Sequence, residues 1–154
     1  MRITDSRYDR DRQRLAVAHR LISHEARTQT IRQATGLSGD RIRRLYRDYF
    51  KGQVARPVRR RRGKSPRQMA FFRRSLEHEQ QAGMLGALLR HCELLERESS
   101  AQRPSLEIVA RFCDVYETFA GLWLQPHITF EHAWHLWQIL ARAVKDGVIA
   151  TNPA

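Results

Sequence analysis

Apolar residues along this chain recur at spacings of three and four, the period of the α-helix, and nowhere alternate as in a half-buried strand. Residues 9–23 predict a first helix with Leu15, Ala18, Leu21 and Ile22 on one face. A second is expected over residues 26–34, carrying Ile31. Thr35, Gly36 and Leu37 read as a turn, and Ser38 is a favoured N-cap for a third helix reaching Phe50. Its apolar stripe is Ile42, Leu45, Tyr46 and Tyr49. Residues 52–67, GQVARPVRRRRGKSPR, offer no apolar face to pack and read as an extended, charged linker or arm.

The helical period returns from residue 67. Phe71, Phe72, Leu76, Met84, Leu85, Leu88, Leu89, Cys92 and Leu95 mark one long helix or two, with Gly83 and Gly86 as weak points. Ser105, after Pro104, caps a helix through Val109 and Cys113 to about Trp123. Thr129 caps a last one through Trp134, Trp137 and Val144, with Gly147 as its stop signal. The expected fold is all-α: a helix-turn-helix unit at residues 1–51, a basic linker or arm at 52–67 and a C-terminal helical bundle at 68–154.

Charge divides along the same line. Residues 1–74 hold twenty-two of the twenty-eight Lys and Arg against six acids, and residues 75–154 hold six against ten. The net charge of +12 is therefore +16 on one half and −4 on the other. Arginine at this density selects for a polyanion, of which the duplex phosphate backbone is the commonest.

Residues 28–45 narrow that to a helix-turn-helix, in which the second helix of the motif enters the major groove. With Thr28 as the first position, Ile31, Gly36, Leu37, Ile42 and Leu45 fall at the apolar and turn positions that packing requires. Arg32 stands where close helix contact prefers alanine, so the crossing is looser or Arg32 snorkels outward. This register exposes Ser38, Asp40, Arg43, Arg44 and Arg47 on the third helix. The guanidinium fork suits guanine N7 and O6 or phosphate oxygens, and Asp40 suits a cytosine amine or the helix dipole. Thr28 and Gln29, at the start of the second helix, are placed for phosphates. Arg59, Arg60, Arg61, Arg62 and Lys64 of the arm are candidates to thread a minor groove or track phosphates. The arm has no aromatics to stack on bases, which argues against single-stranded RNA.

Other chemistry is poorly represented. His132 and His135 lie one helical turn apart, but no C-x-x-C pair completes a zinc set, so no metal or cofactor is expected. No phosphate-binding glycine loop, H-E-x-x-H or G-x-S-x-G occurs, so no residue is assigned a catalytic role and the chain is not expected to be an enzyme. Cys92 and Cys113 read as reduced core thiols. Residues 1–14 lack the apolar stretch of a secretory signal, and no apolar run is long enough to span a bilayer. The expected location is the cytoplasm. Phe119, Trp123, Phe130, Trp134 and Trp137 gather within nineteen residues. They serve either as core or, since Trp is enriched at interfaces, as a partner surface formed by Trp123, Trp134 and Trp137.

Leu21-Ile22, Ala26-Arg27, Gln29, Thr35-Gly36-Leu37-Ser38, Arg41, Ile42, Leu45-Tyr46 and Asp48 together resemble the FlhC family, the DNA-binding subunit of bacterial flagellar transcriptional activators. The similar segments there have the forms L-I-x-x-x-A-R-x-Q, T-x-L-S and R-L-x-x-L-Y-K. Glu77, Ala82 and Met84, and later Ala133-Trp134-x-Leu136, resemble further family segments, so the likeness covers residues 15–146. It implies an all-α regulator that works with an FlhD-like protein partner on promoter DNA, beside RNA polymerase, as part of a hetero-oligomer. The family's cysteine-rich zinc module has no counterpart up to Ala154, so its metal site is not carried over. Related proteins also activate conjugative transfer genes, so the process is flagellar or one of mobile-element transfer.

The function expected is thus a DNA-binding transcriptional regulator, an activator subunit. The rival is an RNA- or DNA-binding assembly protein that uses the basic arm without reading sequence.

Overall fold

The computed structural model describes residues 2–52, 57–64, 66–97 and 103–150. Among them are seven α-helices and no strand. Packing divides the chain into two units, Met1–Gly63 and Lys64–Ala154. No helix among the described residues is long and apolar enough to cross a membrane.

The first unit holds α1 (Arg2–Ser23), α2 (Thr28–Thr35) and α3 (Gly39–Leu45), the last continued by a π-helical turn, Tyr46–Phe50. Val17, Ala18, Leu21 and Ile22 of α1 meet Ile31 and Ala34 of α2 and Ile42, Tyr46 and Phe50 beyond the turn, all buried. Gly36 ends α2 at φ 74°, a left-handed conformation that carries no steric cost for glycine, and its N–H donates to Arg32 O at 2.9 Å. Ser38 then opens α3, its hydroxyl accepting from the Arg41 N–H at 3.3 Å.

The π-helical turn changes which tyrosine is buried. A regular helix would place Tyr49 below Tyr46, but the wider turn, closed by Lys51 N–H to Tyr46 O at 3.0 Å, rotates Phe50 inward instead. Tyr49 is accordingly 57% exposed and Phe50 8%. Leu45 is only half-buried, and Arg32 points to solvent.

The second unit begins with a 3₁₀ turn, Met69–Arg73, followed by α4 (Leu76–His91), α5 (Leu94–Arg97), α6 (Leu106–Gly121) and α7 (Phe130–Lys145). Ser75, Ser105 and Thr129 cap α4, α6 and α7, each accepting the N–H three residues on. The core stripe of α4 is Gln81, Leu85 and Leu89 at strict i, i+4 spacing, which leaves Leu76 and Met84 outside, 66% and 43% exposed. Gly83 and Gly86 do not interrupt this helix. It stops at Cys92, which is exposed, whereas Cys113 is buried.

Two non-glycine residues among those described take the left-handed conformation, Glu25 at φ 59° and Glu93 at φ 57°. Both follow helices, at the place where glycine normally makes the exit. After α1 the paired bonds Glu25 N–H to Ile22 O (2.8 Å) and Ala26 N–H to Leu21 O (3.0 Å) complete a Schellman turn. A side chain there strains the backbone, so Glu93→Gly is expected to stabilise the second unit by about 0.5–1 kcal/mol, the relief of strain less the entropy of glycine. The urea midpoint of the purified variant measures this.

Candidate nucleic-acid interface

Burial of Ile42, Tyr46 and Phe50 fixes the rotation of α3, and its outward face follows. Ser38, Asp40, Arg41, Arg43, Arg44 and Arg47 are all exposed. At the start of α2 Thr28 is half-buried and Gln29 exposed.

The four arginines are not equivalent. Arg43 pairs with Asp40 one turn earlier, and Arg47 Nε donates to Asp48 Oδ1 at 3.2 Å. The Arg43 guanidinium, by hydrogen bond and then by charge, holds the Asp40 carboxyl below its ordinary range, with a smaller contribution from Arg44. Arg44 itself makes no ion pair among the described residues. Arg41 makes none either, so both forks are uncommitted, and a guanidinium in that state can take a phosphate or the N7–O6 edge of guanine without first breaking a bond.

Residues 57–62 of the basic segment are extended, as its composition predicts, but they are tied down. Glu25 and Arg27, in the loop between α1 and α2, grip the segment at residues 59–62. Glu25 Oε1 accepts from the Arg59 N–H at 3.3 Å, Glu25 Oε2 from Arg61 Nε at 3.0 Å, and Arg27 Nη1 donates to Arg62 O at 2.7 Å. Side chains alternate along an extended chain. With Arg61 on Glu25, Val58 and Arg60 turn toward the third helix, where Arg60 lies 5.6 Å from the Tyr46 ring centre. Tyr46 is anchored in turn by its hydroxyl, which donates to Ala26 O at 3.2 Å. Arg59, Arg62 and Lys64 project to solvent. Residues 53–56 and Ser65 of the arm lie outside the described residues.

A cleft of about 370 Å³ results, lined by Arg43, Arg47, Lys51 and Arg60 over Tyr46, Phe50 and Val58. Sequence reasoning named Arg43, Arg47 and Arg60 but not Lys51, Glu25 or Arg27. Spacing does reveal Lys51, which follows Arg43 and Arg47 at steps of four. Nothing local marks Glu25 as the partner of a residue thirty-six positions away.

The tryptophans divide differently from the expectation. Trp137 is fully buried, stacked on Phe112 with ring centres 4.6 Å apart, and its Nε1 donates to Leu94 O at 3.0 Å. Trp134 is 3% exposed and set edge-on to Phe112 and Trp137. Both belong to the core of their unit because α7 turns its apolar face onto α4 and α5. Neither offers a partner any surface in this conformation. Trp123 is half-buried, between the exposed Leu122 and Leu124.

His132 stacks on Phe71 and bonds the Thr129 hydroxyl through Nδ1 at 2.7 Å, while His78 lies against His127. Among the described residues no group of three or more His, Cys, Asp or Glu is placed to hold a metal ion. No protein-family model, curated protein or solved structure matches the chain.

Proposed function

We propose that the chain is a DNA-binding transcriptional regulator, with α2, the Gly36 turn and α3 acting as a helix-turn-helix and α3 lying in the major groove. The observation that carries this reading is the outward face of α3 and the turn after it, where Arg41, Arg43, Arg44 and Arg47 are exposed while Ile42, Tyr46 and Phe50 are buried. Arg43, Arg44 and Arg47 supply base and phosphate contacts. Thr28 and Gln29 hold the backbone beside them. The second unit, with its own core and lower charge, mediates assembly, and the exposed Leu122 and Leu124 with the half-buried Trp123 are its contact candidates. The likeness of residues 15–146 to the FlhC family supplies the partner and process, an FlhD-like protein at flagellar or mobile-element transfer promoters.

A gel-shift comparison tests the reading. The chain should bind the region upstream of its own gene more tightly than random duplex at physiological salt. Equal affinity for both would leave only a polyanion binder that does not read sequence.

Asp40 tempers this face. Asp40→Asn removes a negative charge and releases Arg43, so affinity for random duplex should rise and its salt dependence steepen by about one counterion. Acid acts in the same direction. Because the Asp40 pKa is lowered, the pair persists through the ordinary carboxylate range and is lost only as pH falls below it. At neutral pH, then, Arg43 is held back. Fluorescence anisotropy against salt concentration measures both effects.

A further inference from the structure

Glu25 stands where the backbone favours glycine, and its carboxylate accepts two hydrogen bonds from the basic segment. Strain at such a position persists where the side chain has work that glycine cannot do. Here that work is positional. Glu25 turns Arg61 away from the third helix, and Arg60, one residue earlier, faces it. We propose that Glu25, with Arg27, holds residues 57–62 against the third helix so that Arg43, Arg47, Lys51 and Arg60 form one cleft that seats a phosphate group.

Charge identifies the ligand class. Four cations line the cleft and no carboxylate does, and Lys51 and Arg60 make no ion pair among the described residues. Asp40 and Asp48 partly offset Arg43 and Arg47, but Lys51 and Arg60 are uncompensated, and the apolar floor of Tyr46, Phe50 and Val58 lowers the local dielectric and strengthens their attraction for an anion. Arg43 and Arg47 line the cleft from the third helix and its π-helical turn, and Lys51 from the extended residue that follows. Arg60 makes the opposite wall, so without the clamp the cleft reduces to an open helix face. The ligand's identity rests on the reading above, by which the phosphate is one of the duplex backbone beside the groove that α3 enters. The cleft would admit any phosphate of that size.

Two probes separate these sources: pyrophosphate, followed by NMR at Tyr46, Phe50 and Val58, and a random-sequence duplex, followed by anisotropy across salt. The variants are Glu25→Gly, which suits the backbone, and Arg60→Ala. Both should weaken duplex binding roughly tenfold and lower the salt dependence by about one counterion. The sign for Glu25→Gly is diagnostic, because deleting an acid from a polyanion-binding surface would by charge alone tighten binding. Pyrophosphate should shift the cleft signals in the native chain and not in either variant. Undiminished duplex binding by Glu25→Gly or by Arg60→Ala overturns the proposal, and if Arg44→Ala still weakens binding the helix-turn-helix reading survives it. Silent cleft signals under pyrophosphate likewise overturn it. If pyrophosphate binds in a Glu25-dependent way and duplex does not bind at all, the cleft stands and the DNA reading falls.

Discussion

Alanine at Arg43, Arg44 and Arg47 together is expected to lower affinity for the upstream duplex by on the order of a hundredfold to a thousandfold, since each well-placed guanidinium contributes about 1–3 kcal/mol at a base edge and these act in part on phosphates. The loss should not divide equally. Arg44 carries no carboxylate partner, so Arg44→Ala alone should account for the largest share and relax sequence preference. Arg43 and Arg47 must first leave Asp40 and Asp48, which offsets part of what they gain. Arg111→Ala, an exposed cation on α6, is the matched control and should change little. Titration of each variant at two salt concentrations distinguishes lost readout from lost charge. If the triple variant binds as the native chain does, α3 is not the reading helix.

Trp137→Ala should be the most destabilising single change in the second unit. A large buried aromatic replaced by alanine costs about 3–5 kcal/mol, and the Leu94 carbonyl left without its donor adds about 1–3 more. A domain of this size has about 5–13 kcal/mol in total, so the variant would sit near its unfolding threshold at ambient temperature. The measurement is unusually clean, because all three tryptophans lie in the second unit and none in the first. Tryptophan fluorescence in urea therefore reports this unit alone, with Trp123 and Trp134 still present as probes. Trp137→Phe keeps the stack on Phe112 and loses only the hydrogen bond and some volume, so it should fall between the two.

How much of this was legible beforehand depends on how local each feature is. The caps at Ser38, Ser105 and Thr129 and the exits at Gly36 and Gly147 are written in one or two residues, and they stand where the pattern put them. The helix period also placed Ile42 and Tyr46 inside and Arg43, Arg44 and Arg47 outside. It misplaced Tyr49, because a π-helical turn adds a residue without any mark in composition. The break after α4 went unread for a related reason: Glu93 holds the left-handed position and no glycine announces it. Gln81 was not among the residues that the apolar period marks. It is buried because a distant loop needs it, donating to Gln125 O at 3.2 Å and accepting from the His127 N–H at 2.8 Å. The clamp on the basic arm is of the same kind, a pairing across the unit that no window of sequence contains. Aromatic clustering, finally, cannot tell a core from an interface. Packing of α7 decided it for Trp134 and Trp137.

The Asp40–Arg43 pair has a consequence for kinetics. A regulator spends most of its time among roughly 10⁶–10⁹ wrong sites, held there by phosphate contacts alone. A helix whose own carboxylate occupies one arginine sticks less firmly to each of them and hops sooner to the next. If α3 reads DNA as proposed, a base edge at the right site competes Asp40 away and recovers the contact less the cost of breaking the pair. On that proposal the aspartate would shorten the search at the cost of part of the Arg43 contact in the final complex.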